Sequence, residues 1–253
     1  MKKIILLLLF SQRLFSQEFS DDFLSFEKYR KLIYDLENLN AQEYSDNLMP
    51  FDEYMILIDD LANSNTNGYK SHMLDIDLEN NIFEQRATKK INFSQGSLLY
   101  TNRELDFAIA GEGFFKIILC DGRTAYTRNG EFMIDEKTKE LKIINGWYKL
   151  FDTIKIEPGY SQLVFNNDNS IITIYPNGKE VNNGILKIYN LDTSKLVSTD
   201  GVIFFYKGNE ENVINSKIYQ GFIEQSNVQK IGTKTRLIII SKILGMNWEN
   251  RIE

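Results

Sequence analysis

Leu105-Asp106-Phe107-Ala108-Ile109-Ala110-Gly111-Glu112-Gly113-Phe114-Phe115 is the stretch on which the fold turns. Its first six residues are short, apolar and partly aromatic or β-branched, and Phe114 to Leu119 repeats that character. Such side chains favour a pleated, half-buried surface. Gly111-Glu112-Gly113 looks faintly like a phosphate loop, but Lys116 stands where a dinucleotide fingerprint needs its third glycine, and no helical pattern follows. The segment therefore reads as two strands joined by a bend. Leu141 to Ile144 and Ile171 to Tyr175 have the same composition. Asp121-Gly122, Asn129-Gly130, Asn145-Gly146, Asn177-Gly178 and Asn183-Gly184 punctuate the region. Such pairs suit tight hairpins because both central residues tolerate positive φ. An antiparallel β domain over 97–220 is expected, with Gly130 in the positive-φ position of a hairpin.

The flanks differ. Residues 18 to 62 hold twelve Asp/Glu against three Lys/Arg, a net of −9. Phe23, Phe26, Leu32, Ile33, Leu36 and Leu39 fall at helical spacing, as do Phe51, Tyr54, Met55, Ile58, Leu61 and Ala62. Two amphipathic helices are predicted, over 22–44 and 50–62, the second opening near Pro50 and ending in the Asn-rich run 63–68. Beyond Gly221 the pattern is helical again, with Val228, Ile231, Leu237, Ile238 and Leu244 on or near one face. Residues 228 to 253 carry a net +3. At the other end, Met1-Lys2-Lys3 and the apolar run Ile4 to Phe10 read as a short secretory signal, cut near Gln17.

Composition narrows the chemistry. In 253 residues there are 29 Lys/Arg against 35 Asp/Glu, for a charge of −6. An acidic chain without a basic cluster is a poor nucleic-acid binder. One Cys and one His exclude an intrachain disulfide and Cys- or His-rich metal centres. His72, with Asp75 and Asp77 nearby, is expected to be an exposed polar residue, and Cys120 a half-buried structural thiol. Asp121, Glu131, Asp135 and Glu136 read as solvated carboxylates beside turns, although a pair among them would suit glycoside hydrolysis. No catalytic residue, metal, cofactor or small-molecule substrate is expected. The 17 Phe, 13 Tyr and 2 Trp would furnish a sugar-binding face, or simply good strands.

Leu61-Ala62-Asn63-Ser64-Asn65-Thr66-Asn67-Gly68-Tyr69-Lys70 resembles the Leu-Ala-Asn-x-x-Thr-x-Gly-aromatic-Lys segment of the flagellar basal-body rod and hook protein family. Further matches follow in that family's order. Gln95-Gly96 and Thr101-Asn102 precede the Leu105–Phe115 block, which is similar to Leu-Asp-x-Ala-Ile-x-Gly-x-Gly-Phe-Phe and includes Gly111, Gly113, Phe114 and Phe115. Tyr126-Thr127-Arg128-Asn129-Gly130-Glu131-Phe132 resembles Tyr-Thr-Arg-x-Gly-x-Phe. Gly221-Phe222-Ile223-Glu224-Gln225-Ser226-Asn227-Val228 resembles Gly-x-Leu-Glu-x-Ser-Asn-Val. The resemblance runs from about Phe51 to Asn247 and is greatest to distal- and proximal-rod proteins with a single β domain. It implies a non-enzymatic axial subunit of the basal body, in the periplasm, whose partners are copies of itself and other rod or hook subunits, with peptidoglycan a further candidate. It also implies that the motif residues serve assembly and that the terminal helices form an inner tube beneath an outer β layer.

The chain departs from the pattern at both ends. A signal-like start and an extra acidic stretch of about thirty residues precede the familiar segment, and Asp59-Asp60 replaces the usual Asn-Asn. Gly232 and Gly245 interrupt the C-terminal helix, where glycine costs about 1 kcal/mol relative to Ala. Lys242, Leu244 and Gly245 replace the family's Arg, Tyr and Glu. The expected fold is α+β and mostly β, an antiparallel β domain inserted between N- and C-terminal amphipathic helices. Its divisions are a signal at 1–17, a helical region at 18–70, an extended linker at 71–96, the β domain at 97–220 and a C-terminal helix at 221–253. A secreted, periplasmic glycan-binding or accessory protein derived from the rod family is the alternative.

Overall fold

The computed structural model describes residues 48–76, 87–144, 148–198, 200–208, 212–214 and 216–243. The predicted 1–17 signal and 22–44 helix lie outside them. The chain divides into a unit of Asp52–Leu237 and a second of Met1–Phe51 with Ile238–Glu253. In chain order, α1 (Leu48–Ala62) precedes β1 (His72–Ile76) and β2 (Ala87–Ile91), an antiparallel ribbon running through the segment expected to be extended. Next come β3 (Leu98–Tyr100), β4 (Phe107–Ala110), β5 (Phe115–Ile118), β6 (Thr124–Thr127), β7 (Phe132–Ile134), β8 (Leu141–Ile143) and β9 (Lys149–Leu150). They are followed by β10 (Gln162–Phe165), β11 (Ser170–Ile174), β12 (Glu180–Ile185), β13 (Ile188–Asn190), β14 (Leu196–Ser198), β15 (Ile203–Tyr206), β16 (Asn212–Ile214), β17 (Lys217–Gln220) and β18 (Phe222–Glu224). The described chain closes on α2 (Lys230–Ile243). The fold is α+β and mostly β, as expected, with antiparallel sheets between the two helices.

The widest sheet runs β14-β15-β6-β5-β9-β8-β7. β10-β11-β12 forms a three-stranded sheet, and β13-β16, β17-β4 and β18-β3 are pairs. Alternation explains why Phe114 and Phe115 are both apolar. Phe115 and Ile117 join the main core with Phe107, Ile109 and Phe132, whereas Phe114 enters a second cluster with Tyr126, Tyr189 and Phe204. Successive side chains leave a strand on opposite faces, so a strand covered on both sides reads as a continuous apolar run.

The glycine pairs divide into turns and non-turns. Asp121-Gly122 joins β5 to β6, and Asn177-Gly178 joins β11 to β12, with Gly122 at φ 83° and Gly178 at φ 79°. Asn145-Gly146 lies outside the described residues. Asn183-Gly184, expected to be a turn, lies inside β12 opposite a register shift at Ile171/Ile172, a bulge that Gly184 accommodates at φ 128°. Asn129-Gly130 is not a hairpin either. It links β6 to β7, which pair with other strands, and Gly130 is absent from the positive-φ glycines among the described residues. The demand for glycine there is steric: a Cβ would lie 1.7 Å from the Phe107 carbonyl oxygen.

The β7–β8 turn rests on Asp135, whose carboxylate accepts from the backbone N–H of Lys137 and Thr138 at 2.9 Å each and from Lys142 Nζ at 3.0 Å. Those donors, Thr138 N–H foremost, hold its pKa well below the ordinary 3.8. A depressed folded pKa contributes stability above the unfolded value that is lost as pH falls through the folded one. Asp135→Asn is therefore expected to lower the melting temperature at neutral pH, with the gap to wild type closing below pH 3.8. A gap that widens on acidification would contradict this.

α1 matches the predicted second helix to within two residues at its start. Pro50 lies in the first turn, where a missing N–H costs little. Tyr54, Ile58 and Leu61 are buried, and so are Ile56 and Leu57, which the single-stripe reading left out. In α2 the expected single face splits. Val228, which precedes the helix, and Leu237 are buried, whereas Ile231, Ile238 and Ile239 are exposed. Gly232 takes no positive φ, and a Cβ there would meet only Gln229 Cβ, at 3.9 Å. Gly232→Ala is accordingly expected to stabilise the protein by about 0.4–1 kcal/mol, read as a higher urea midpoint; a lower midpoint would mean that the glycine has a packing role.

Candidate functional site

Residues from five separate segments meet around Glu224. β18 places this carboxylate in the interior, its side chain fully buried. Glu224 Oε1 lies 2.6 Å from Lys70 Nζ and accepts from Gly96 N–H at 3.0 Å. Arg128 donates to Glu224 Oε2 through Nε at 2.7 Å, and its Nη2 lies 2.6 Å from the same oxygen. The rest of the guanidinium is spent on carbonyls: Ile109 at 2.9 Å, Gly111 at 2.9 Å and Gly113 at 2.5 Å. Gly111 and Gly113 take φ of 100° and 105°. The bend is thus a carbonyl claw for Arg128 rather than a phosphate cradle, which would present N–H groups. Gln95 locks it from the other side, donating to Ile109 O at 2.8 Å and accepting from Gly111 N–H at 3.0 Å.

Lys70 also donates to Ser94 O at 2.6 Å. Burial pushes its amine pKa down; the Glu224 carboxylate opposes that shift and the Arg128 charge adds to it. Asn227 completes the closure. Its Oδ1 accepts from Ser71 N–H at 2.7 Å, and its Nδ2 donates to Asn92 O at 2.8 Å and Ser94 O at 2.9 Å. Gly68, at φ 73°, donates its N–H to Glu224 O at 2.7 Å. A Cβ on Gly68 would lie 2.4 Å from Asn129 N, and one on Gly96 2.0 Å from Gln225 O. These glycines are where backbones pass in contact.

A second polar group abuts it. Asp60 Oδ1 accepts from Tyr69 Oη at 2.8 Å and lies 3.0 Å from His72 Nδ1, and both Asp60 oxygens take His72 N–H at 3.1 Å. Burial first, then the carboxylates of Asp59 and Asp60, raises the Tyr69 hydroxyl pKa far above its ordinary value. Burial likewise raises that of Asp59. His72 is therefore not the exposed residue expected: it is 8% exposed. Its periodicity gave no warning, because its partner Asp60 comes from the preceding helix. Cys120, expected to be half-buried, is exposed beside the Asp121-Gly122 turn.

The other motif residues hold neighbouring parts of the frame. Leu61 is buried, and Ala62 ends α1. Asn63 Nδ2 donates to Asp59 O at 2.9 Å, and Thr66 Oγ1 to Asn63 Oδ1 at 3.3 Å, which shapes the helix exit. Gly221 N–H donates to Asp106 O at 2.7 Å, and Ser226 Oγ accepts from Val228 N–H at 3.3 Å. Phe114, Phe115 and Tyr126 belong to the two apolar cores, and Gly130 to the crossing with Phe107. Reading the motifs one by one overlooked Asp60, His72, Gln95 and Gly96 as members of the cluster. Gln95-Gly96 lay within the quoted resemblance and was the available signal.

The cluster's carboxylate is saturated by donors and fully enclosed. It staples the segment following α1 to the segment preceding α2. Among the described residues no group of His, Cys, Asp and Glu is placed to hold a metal ion. None of their helices is long and apolar enough to cross a membrane.

Residues 108–179 match the family model described as the flagellar hook protein FlgE/F/G D1 domain. The chain is 32% identical over 152 residues to the flagellar basal-body rod protein FlgG of Buchnera aphidicola subsp. Schizaphis graminum, covering 56% of this chain and 57% of that one. It is 29% identical to FlgG of Borreliella burgdorferi over 64% of each chain. It is 32% identical to the rod protein FlgF of Rhizobium meliloti over 58% of this chain and 61% of that one. The chain thus spans between 57% and 64% of the length of these curated relatives.

Proposed function

We infer that this chain belongs to the flagellar rod and hook protein family and is a non-enzymatic structural subunit of the flagellar basal body that contributes to motility through assembly. The observation that carries this reading is the closure at Glu224. Motif segments more than 150 residues apart in sequence, at Lys70 and Glu224, are joined by a buried ion pair, so both helices leave the β region from one stapled point. The proposed partners are copies of this chain and other axial subunits, through heterologous contacts that propagate rather than close. The proposed location is the periplasmic part of the basal body, where peptidoglycan is a second partner.

The exposed Ile231 and Ile238, seven residues apart on α2, supply an apolar surface for those contacts. Ile231→Asp together with Ile238→Asp is expected to abolish recovery of the chain in purified basal bodies while leaving the far-UV circular dichroism of the β region intact. Ile58, a natural first choice by periodicity, is buried, so its substitution would confuse folding with assembly. Wild-type recovery of the double variant would refute this assembly surface.

A further inference from the structure

We propose that an open groove between the 166–169 turn and β17, continued by a row of aromatic rings that ends at an exposed tyrosine, binds an N-acetylated polysaccharide bearing scattered carboxylates, the chemistry of a peptidoglycan glycan strand. The groove has a volume of about 430 Å³, and its lining includes Phe165, Asn166, Asn167, Asn169, Lys217 and Tyr219. Amide side chains both donate and accept, which matches hydroxyl and acetamido groups. Asn169 is the most telling of them. It is 7% exposed and lines the groove. It also holds a left-handed backbone at φ 63°. An amide in the groove wall offers both a donor and an acceptor to a ligand, or to water that a ligand displaces.

Hydrogen bonds close the turn that carries Asn169. Asn166 N–H donates to Ser170 O at 3.0 Å, Asn169 N–H to Asn166 O at 3.0 Å, and Asp168 Oδ1 accepts from Ser170 Oγ at 2.6 Å. Tyr219, in the groove wall, has its ring centroid 5.6 Å from that of Phe222, which lies 5.0 Å from Tyr100. Tyr100 is 60% exposed. An aromatic row leading out of an amide-lined groove offers apolar faces for sugar rings and polar groups for their substituents.

Charge selects among glycans. Lys217 is exposed, its Nζ 4.6 Å from the Tyr219 ring centroid, and supplies a cation at the groove. The chain as a whole carries −6, which disfavours a densely anionic polymer and leaves room for isolated carboxylates.

The proposal depends on the periplasmic reading only for access to the ligand, so its test needs no basal bodies. Full-length protein is sedimented with purified peptidoglycan sacculi and titrated calorimetrically with the N-acetylglucosamine tetramer. Wild type is expected to bind both. Asn169→Gly keeps the left-handed backbone and deletes the amide; with Tyr100→Ala it should weaken both interactions about tenfold or more at an unchanged melting temperature. Asn167→Ala, at an exposed position, provides a second variant if the first pair unfolds. Lys217→Ser should weaken binding to sacculi and spare the uncharged tetramer. The proposal is overturned if wild type fails to sediment with sacculi, or if the folded variants bind as wild type does. It is overturned as well if an acidic peptide competes equally for the same residues, since the groove would then be a protein-docking site.

Discussion

Glu224→Ala is expected to destabilise the protein by about 3–5 kcal/mol, the range for removing one partner of a buried ion pair. The direction follows from the charge balance. Lys70 and Arg128 both point at Glu224, and all three side chains are buried. Removing the carboxylate leaves two cations in the interior with carbonyls as their partners. It also leaves Gly96 N–H without its acceptor, a further desolvation cost. Lys70→Met should cost less. The remaining Arg128–Glu224 pair is neutral overall and keeps both of its contacts, and Ser94 O still accepts from Asn227 Nδ2 at 2.9 Å. Urea midpoints for the two variants test the ordering. Lys70→Met proving as costly as Glu224→Ala would show that the amine, not the carboxylate, is the keystone.

Gly130→Ala is expected to cost about 3 kcal/mol, the upper part of the range for overpacking. Its Cβ would lie 1.7 Å from Phe107 O and 2.8 Å from Phe107 C, with the Phe115 ring at 3.0 Å. No rotamer relieves a clash with backbone. The strand carrying Phe107 would have to retreat, breaking the 3.0 Å bond from Phe107 N–H to Gly130 O and opening the main core at Phe107 and Phe115. Gly178→Ala is the control. Gly178 takes φ 79° with nothing within 4 Å of its Cβ position, so alanine there meets only the backbone preference, about 1 kcal/mol. Thermal or urea unfolding of both variants separates the two reasons for glycine. Equal losses would mean that conformation, not contact, governs position 130.

The same contrast separates what was legible in the residues from what was not. A strand's period of two is a local property, so the Leu105–Phe115 block announced two strands and a bend without help from the rest of the chain. Helical spacing similarly located α1, and Asp121-Gly122 and Asn177-Gly178 announced their hairpins because the φ preference of glycine resides in the residue itself. The ordered motifs pointed to the rod and hook family, and the D1-domain match agrees with them.

Tertiary structure decided why several of those residues are needed. Nothing local distinguishes Gly130, whose neighbour is a carbonyl 23 positions earlier, from Gly178, which faces open space. His72 read as exposed because a lone imidazole after an Asn-rich turn has no local partner; Asp60 and Tyr69 bury it across 12 and 3 positions. The α2 stripe divided because periodicity marks apolar positions without saying which side meets the body of the protein. Glu224 is the clearest case. Its carboxylate lies 154 positions from Lys70 and 96 from Arg128, and only the folded chain brings two cations and one anion into a space that water does not reach.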